Sequence, residues 1–302
     1  MKKKIIVGSR DSKLAVAQTR LVMDLIEEAN PNIELELVTM KTTGDKILNK
    51  TLDKIGGKGL FVKELDQALV EKSVDITVHS LKDLPMEVNP QLPLLAFVKR
   101  GNPFDCLVMP KNQKIEEMNR ELPIGSSSGR RNTQLRELYE EMSTEPIRGN
   151  VITRLEKLDK GNYASLILAR AGLERIGLKE RISKTFTVDE MIPAAGQGIL
   201  VIQGREGEDY SFLEKVDHRE TRVCALAERA FVRTLNGGCS APIGAYSYVE
   251  TDACRENIVI HGFYQDVKTG KYGKMVAKGD ISQGESLAVN LAKKLKEKVE
   301  HE

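Results

Sequence analysis

Apolar positions in the first hundred residues alternate between two spacings. Short apolar runs at 5–7, 35–40, 75–79 and 94–98 predict strands. Between them, Leu14, Ala17, Leu21, Val22, Leu25 and Ile26 recur at helical spacing, as do Phe61, Val62, Leu65, Ala68 and Leu69. Ser12 stands where a helix cap belongs. The alternation predicts βα units on a parallel sheet. A stretch containing Gly101 and Pro103 predicts a hinge at 99–103. Beyond it come strands at 106–109, 123–125 and 166–168, helices over 131–142, 151–158 and near Leu173, and a strand at 199–203 that is expected to return to the first domain. From 217 onward the pattern changes: a long helix over 220–235, strands at 246–250, 258–264 and 274–278, and a helix over 285–299 predict a small α+β domain with an antiparallel sheet.

Composition narrows the function classes. The 46 basic and 44 acidic residues nearly cancel, and there is no Trp, so neither a polarised basic surface nor a base-stacking platform is expected. The apolar run after Met1-Lys2-Lys3-Lys4 is too short for a signal peptide, and no stretch approaches a membrane span, so a cytoplasmic chain is expected. Cys106, Cys224, Cys239 and Cys254 show no zinc-site spacing, and no metal is expected. The Walker pattern fails around Gly57-Lys58, the dinucleotide fingerprint fails at Val201, and neither His-Glu-x-x-His nor Gly-x-Ser-x-Gly occurs.

Four constellations remain. Arginines stand after strands or at helix starts: Arg10, Arg130 and Arg131 behind a Ser-rich loop, Arg148, Arg154 and Arg175. Such loops bind ligands in open α/β sheets, and a guanidinium fork matches a carboxylate, so the set reads as a site for a molecule with several carboxylates. Taken singly, the default reading of any one arginine is a solvated surface residue, and the Ser-rich loop leading into Arg130-Arg131 is the hardest to dismiss in that way. Asp83, in His79-Ser80-Leu81-Lys82-Asp83-Leu84-Pro85, either stabilises a developing positive charge or turns the chain before proline. In Asn236-Gly237-Gly238-Cys239, the glycines are expected to end the helix in a left-handed turn, and Cys239 is a nucleophile, an attachment point or a packing residue. The Lys54–Phe61 segment, with three glycines, is either a lid carrying Lys58 and Phe61 or a surface loop.

These segments in this order resemble the porphobilinogen deaminase (hydroxymethylbilane synthase) family: GSRDSKLA from Gly8, GGKGLFVKELDQAL from Gly56, DITVHSLKDLP from Asp75, GSSSGRR from Gly125, RGNVITRLEKLD from Arg148, PAAGQGIL from Pro193 and NGGCSAPIGAY from Asn236. The resemblance implies an α/β fold of three domains. The first two, 1–98 with about 194–216 and 99–193, would be similar to type II periplasmic binding proteins around a central cleft. The third, 217–302, would carry a three-stranded antiparallel sheet and the cofactor loop. It implies a dipyrromethane held by Cys239 through a thioether, with Lys82, Asp83, Ser128, Arg130 and Arg131 as its other binding residues. Asp83 would be the catalytic carboxylate. Arg10, Ser12, Lys58, Ser127, Arg148, Arg154, Arg175 and Gln197 would bind substrate.

The implied reaction condenses four porphobilinogen units head to tail, each losing ammonia, and hydrolysis then releases hydroxymethylbilane. The implied partners are porphobilinogen and the growing oligopyrrole, with no nucleic acid or membrane, and the implied state is a monomer. An anion-binding receptor or sensor of periplasmic-binding-protein fold is the alternative. It explains the arginines but neither the third domain nor the loop cysteine. Ser126, Gly129 and Asn236 depart from the commonest family pattern and bear only on local loop shape.

Overall fold

The computed structural model describes residues 3–46, 62–237, 241–252 and 255–301. By backbone contacts the chain divides into two units, Met1–Gly101 with Ile199–Arg222, and Asn102–Gly198 with Val223–Glu302.

The first unit is built on a five-stranded sheet of β1 (Lys3–Arg10), β2 (Ile33–Met40), β3 (Ile76–Ser80), β4 (Leu94–Phe97) and β10 (Leu200–Gln203), in the order β2-β1-β3-β10-β4. Helix α1 (Lys13–Ala29) begins at Ser12, whose hydroxyl accepts the Ala15 N–H, and α2 (Lys63–Val70) follows later. The helix buries Val22 and Ile26 against Ile5, Val7, Ile76 and Ile202. Leu21 and Leu25 face solvent instead of the core, because the buried stripe runs through Gln18, Thr19, Val22 and Ile26. The sheet is mixed, not wholly parallel. β1 runs parallel to β2 and β3, but β10 runs antiparallel to both β3 and β4. The chain re-enters this sheet from a remote segment, so no βα crossover sets its direction.

The second unit holds a five-stranded sheet ordered β7-β6-β8-β5-β9, from β5 (Asp105–Val108), β6 (Ile124–Gly125), β7 (Thr144–Glu145), β8 (Ser165–Ala169) and β9 (Lys184–Thr185). Its helices are α3 (Gly129–Leu138), α4 (Val151–Asp159) and α5 (Arg170–Arg175). Both faces are covered, so the central strands read as unbroken apolar runs. Cys106, Val108, Leu166 and Leu168 pack on one side with Leu155, Leu158 and Leu173. Leu107, Met109 and Ile167 pack on the other with Leu135, Phe186 and Met191. Helix α3 stops at Leu138, short of the predicted 142. Tyr139 leaves helical geometry at φ −141°, and Met142 reaches the same core from the following turn.

The same unit carries a three-stranded antiparallel sheet, β11 (Ile243–Asp252), β12 (Arg255–Gln265) and β13 (Tyr272–Asp280). The long helix α6 (Arg219–Thr234), from Val223 onward, and the terminal helix α7 (Gly284–His301) accompany it. Gly262 is required here, since a Cβ would stand 2.5 Å from the Phe231 ring of α6. The turn that ends α6 is left-handed at Asn236 (φ +53°), not at a glycine as expected; a short amide side chain tolerates that conformation.

Candidate active site

In the first unit, β1 and β3 are parallel neighbours. Arg10, at the end of β1, and the 3₁₀ turn Leu81–Asp83, just after β3, therefore fall at one edge of the sheet. Buried Leu81 and Leu84 anchor the turn, the Leu81 N–H bonds the Ile199 carbonyl at 3.0 Å, and Asp83 is left exposed. Lys82 and Arg10 are half-buried. The Ser12 hydroxyl serves as the helix cap at 3.3 Å. Beneath this edge lies a polar layer: Thr19 donates to Ser9 at 2.8 Å, Ser80 donates to Gln18 at 3.1 Å, and Thr77 shares a hydrogen bond with His79 at 2.9 Å.

Burial, with Arg10 adding to it, pushes the His79 imidazole down to about 4, well below its ordinary 6.5. A histidine depressed in the folded state contributes stability that is fully present above 6.5 and is lost as pH falls through about 4. His79→Gln should therefore show a shallower fall in melting temperature than wild type between those pH values, read by calorimetry. Equal slopes would exclude His79 from this effect.

In the second unit, β6 and β8 are parallel while β5 runs antiparallel to β8. The start of β5 is thereby brought to the edge where β6 and β8 end, and that start is Asp105, paired with Ala169. Asp105 is fully buried and gathers three of the predicted site residues. Its Oδ2 accepts Arg130 Nη1 at 2.7 Å. Its Oδ1 accepts Arg131 Nε at 3.0 Å, Arg131 Nη2 at 2.7 Å and Gln197 Nε2 at 3.0 Å. Arg130 also donates to the Ile192 carbonyl at 2.8 Å, and Arg131 to the Ile167 carbonyl at 3.0 Å. Burial pulls the Arg130 guanidinium below its usual range, and the Asp105 carboxylate opposes this.

The remaining predicted residues surround this edge with different partners. Ser128 caps α3, accepting the Arg131 N–H at 3.5 Å. Ser127 is tied to Ile147, donating to its carbonyl at 2.8 Å and accepting its N–H at 3.0 Å. Arg154 Nε bonds the Gly149 carbonyl at 2.8 Å, and Arg148 is half-buried beside it in sequence. Gly149 turns at φ +111°, where a Cβ would also press on Thr153 at 2.8 Å, so this bend requires glycine. Arg175 Nη2 donates to the Gly198 carbonyl at 2.6 Å, and the desolvated guanidinium is pushed down to about 10. Among the described residues Arg175 has no ion-pair partner.

Sequence reasoning missed Asp105 and Glu228. Glu228 is buried on α6, and its carboxylate accepts Gly196 N–H at 2.7 Å, Ser247 N–H at 2.8 Å and the Ser247 hydroxyl at 3.0 Å. The signal for Asp105 was present: a carboxylate opening an apolar strand must be met by buried donors. Lys58 and Cys239 lie outside the described residues, as do Phe61 and Cys254. No helix among the described residues is long and apolar enough to cross a membrane.

Comparison with known proteins gives two family matches. The family model for "porphobilinogen deaminase, dipyromethane cofactor binding domain" matches residues 5–212. That for "porphobilinogen deaminase, C-terminal domain" matches residues 222–297. A porphobilinogen deaminase of Acetivibrio thermocellus is 54% identical over 289 residues, covering 96% of this chain and 97% of that protein. One of Alkaliphilus oremlandii is 53% identical over 293 residues, covering 97% of each. Among solved structures, the second substrate binding domain of a putative amino acid ABC transporter from Streptococcus pneumoniae is distantly similar, at 11% identity and TM-score 0.43, covering 78% of this chain and 95% of that one.

Proposed function

This chain belongs to the porphobilinogen deaminase family, and from that premise we propose that Asp83 is its catalytic carboxylate and Cys239 the point where its cofactor is attached through a thioether. The family is one of transferases of tetrapyrrole biosynthesis that work on a dipyrromethane cofactor. The reaction joins four porphobilinogen units head to tail with loss of ammonia, and water then releases hydroxymethylbilane.

The donor set suits a group bearing several carboxylates. The observation that carries this is Arg175: a half-buried, partly desolvated guanidinium whose described bond is to a neutral carbonyl, so its charge calls for an anion. When bound, the dipyrromethane supplies the pyrrole α-carbon from which the chain of rings is extended. Lys82, Ser128, Arg130 and Arg131 hold its carboxylates. Arg10, Ser12, Lys58, Ser127, Arg148, Arg154, Arg175 and Gln197 hold those of the incoming unit and of the growing oligopyrrole. A charge-assisted bond of this kind contributes about 1.5–3 kcal/mol, so losing one arginine weakens binding about ten- to a hundredfold. Asp83, exposed on its turn, stabilises positive charge at a ring nitrogen during both bond breaking and bond making and takes part in moving the proton. The same reading makes the chain a cytoplasmic monomer that binds neither nucleic acid nor membrane.

Intact-protein mass spectrometry tests the attachment. The purified chain should exceed its sequence mass by one dipyrromethane, with the peptide containing Cys239 carrying the increment. A bare chain that still consumes porphobilinogen overturns the reading. Arg131→Lys should be recovered with most molecules lacking the adduct, because one ammonium cannot replace a fork that holds both Asp105 and the Ile167 carbonyl. Normal adduct content in this variant would remove Arg131 from cofactor docking.

A further inference from the structure

We infer that Asp105 is a positioning residue for the cofactor site: its buried carboxylate orients Arg130, Arg131 and Gln197, and without it the site does not take up dipyrromethane efficiently. The inference rests on the reading of those three residues given above.

Each guanidinium is fixed at two points, one on Asp105 and one on a backbone carbonyl, Ile192 for Arg130 and Ile167 for Arg131. Two points fix the plane of a rigid fork, whereas the carbonyl alone would leave it free to turn. The Gln197 amide is held likewise, between Asp105 at 3.0 Å and the Pro103 carbonyl at 2.7 Å. Electrostatics point the same way. Two guanidiniums against one carboxylate leave a net charge of +1, so Asp105 relieves the repulsion between neighbouring buried cations without cancelling their attraction for an anion. It does not use up the N–H donors of either fork. A guanidinium has five N–H donors. Arg130 gives two of them to described acceptors and Arg131 gives three.

The test compares wild type, Asp105→Glu, Asp105→Asn and Leu158→Ala. Leu158 is a fully buried residue of the same unit, packed in the core on one face of the sheet, and serves as a control for lost stability. Melting temperature reports folding, and intact mass reports the fraction carrying the adduct, both in purified protein and in apoprotein incubated with porphobilinogen over time. Asp105→Glu keeps the charge but displaces both forks by a methylene. It should melt cooperatively yet carry or acquire the adduct at least about tenfold less readily than wild type. Leu158→Ala should melt lower and still load fully. A folded Asp105 variant that loads like wild type overturns the inference. So does loss of loading in Leu158→Ala in step with its melting temperature, or failure of both Asp105 variants to fold, which would make Asp105 a folding residue alone. A wild-type chain without adduct is a separate outcome, which sinks the attachment at Cys239 instead.

Discussion

Asp83→Asn is expected to lower kcat by about a hundred- to a thousandfold, the usual cost of removing one preorganised electrostatic partner of a transition state. Its melting temperature should stay close to that of wild type. The two expectations come from one placement. Asp83 ends a 3₁₀ turn whose neighbours Leu81 and Leu84 are buried, while its own side chain is exposed. The amide occupies the same volume, and exposed substitutions away from caps and cores rarely change stability by more than about 0.5 kcal/mol. Only the negative charge is lost, and with it the attraction for positive charge at the pyrrole nitrogen. The measurement is steady-state kcat on protein whose mass shows the adduct, beside a thermal melt. A kcat equal to wild type would take the catalytic role from Asp83.

Cys239→Ser is expected to lose turnover completely and to have the mass of the bare polypeptide. A thiol ionises near neutral pH and its thiolate forms thioethers; a serine hydroxyl needs an activating base to become a nucleophile. Helix α6 ends at Thr234 and the chain turns sharply at Asn236. The Gly237 site leaves no room for a side chain, because a Cβ would lie 2.4 Å from Ile243 Cδ1. Serine differs from cysteine only in oxygen for sulfur, so the variant should fold normally, which circular dichroism checks. An adduct retained on the serine chain would move the attachment elsewhere.

Most of the strands and helices were legible because the strands stand out as short apolar runs and the helices repeat apolar residues at three to four positions. Ser12 marked the start of α1 by its chemistry alone. Strand direction was not legible. The apolar run of β5 carries no sign that it opposes β8, so nothing in the sequence brings Asp105, at the head of β5, to the edge where Arg130 and Arg131 lie. The same gap explains why Arg130 and Arg131 were read as facing a ligand only. Their partner lies 25 and 26 residues earlier in the sequence, and no local spacing reveals a contact of that kind. The extent of α3 was misjudged for a different reason: Leu138 and Met142 keep helical spacing, but Met142 joins the core from a turn. Motif order carried more than periodicity did, since Asp83 and Gln197 have no distinguishing pattern outside their segments.

The position of β10 has a consequence for how the polypeptide is made. The strand sits between β3 and β4, yet it ends at Gln203, more than a hundred residues after β4. During translation, β3 and β4 emerge with nothing to bridge them, and at about 5–20 residues per second the missing piece follows on the order of ten seconds later. Throughout that interval two bare strand edges are open to pairing with other unfinished copies. The nascent chain is therefore at greatest hazard midway through synthesis, when chaperone binding protects it most.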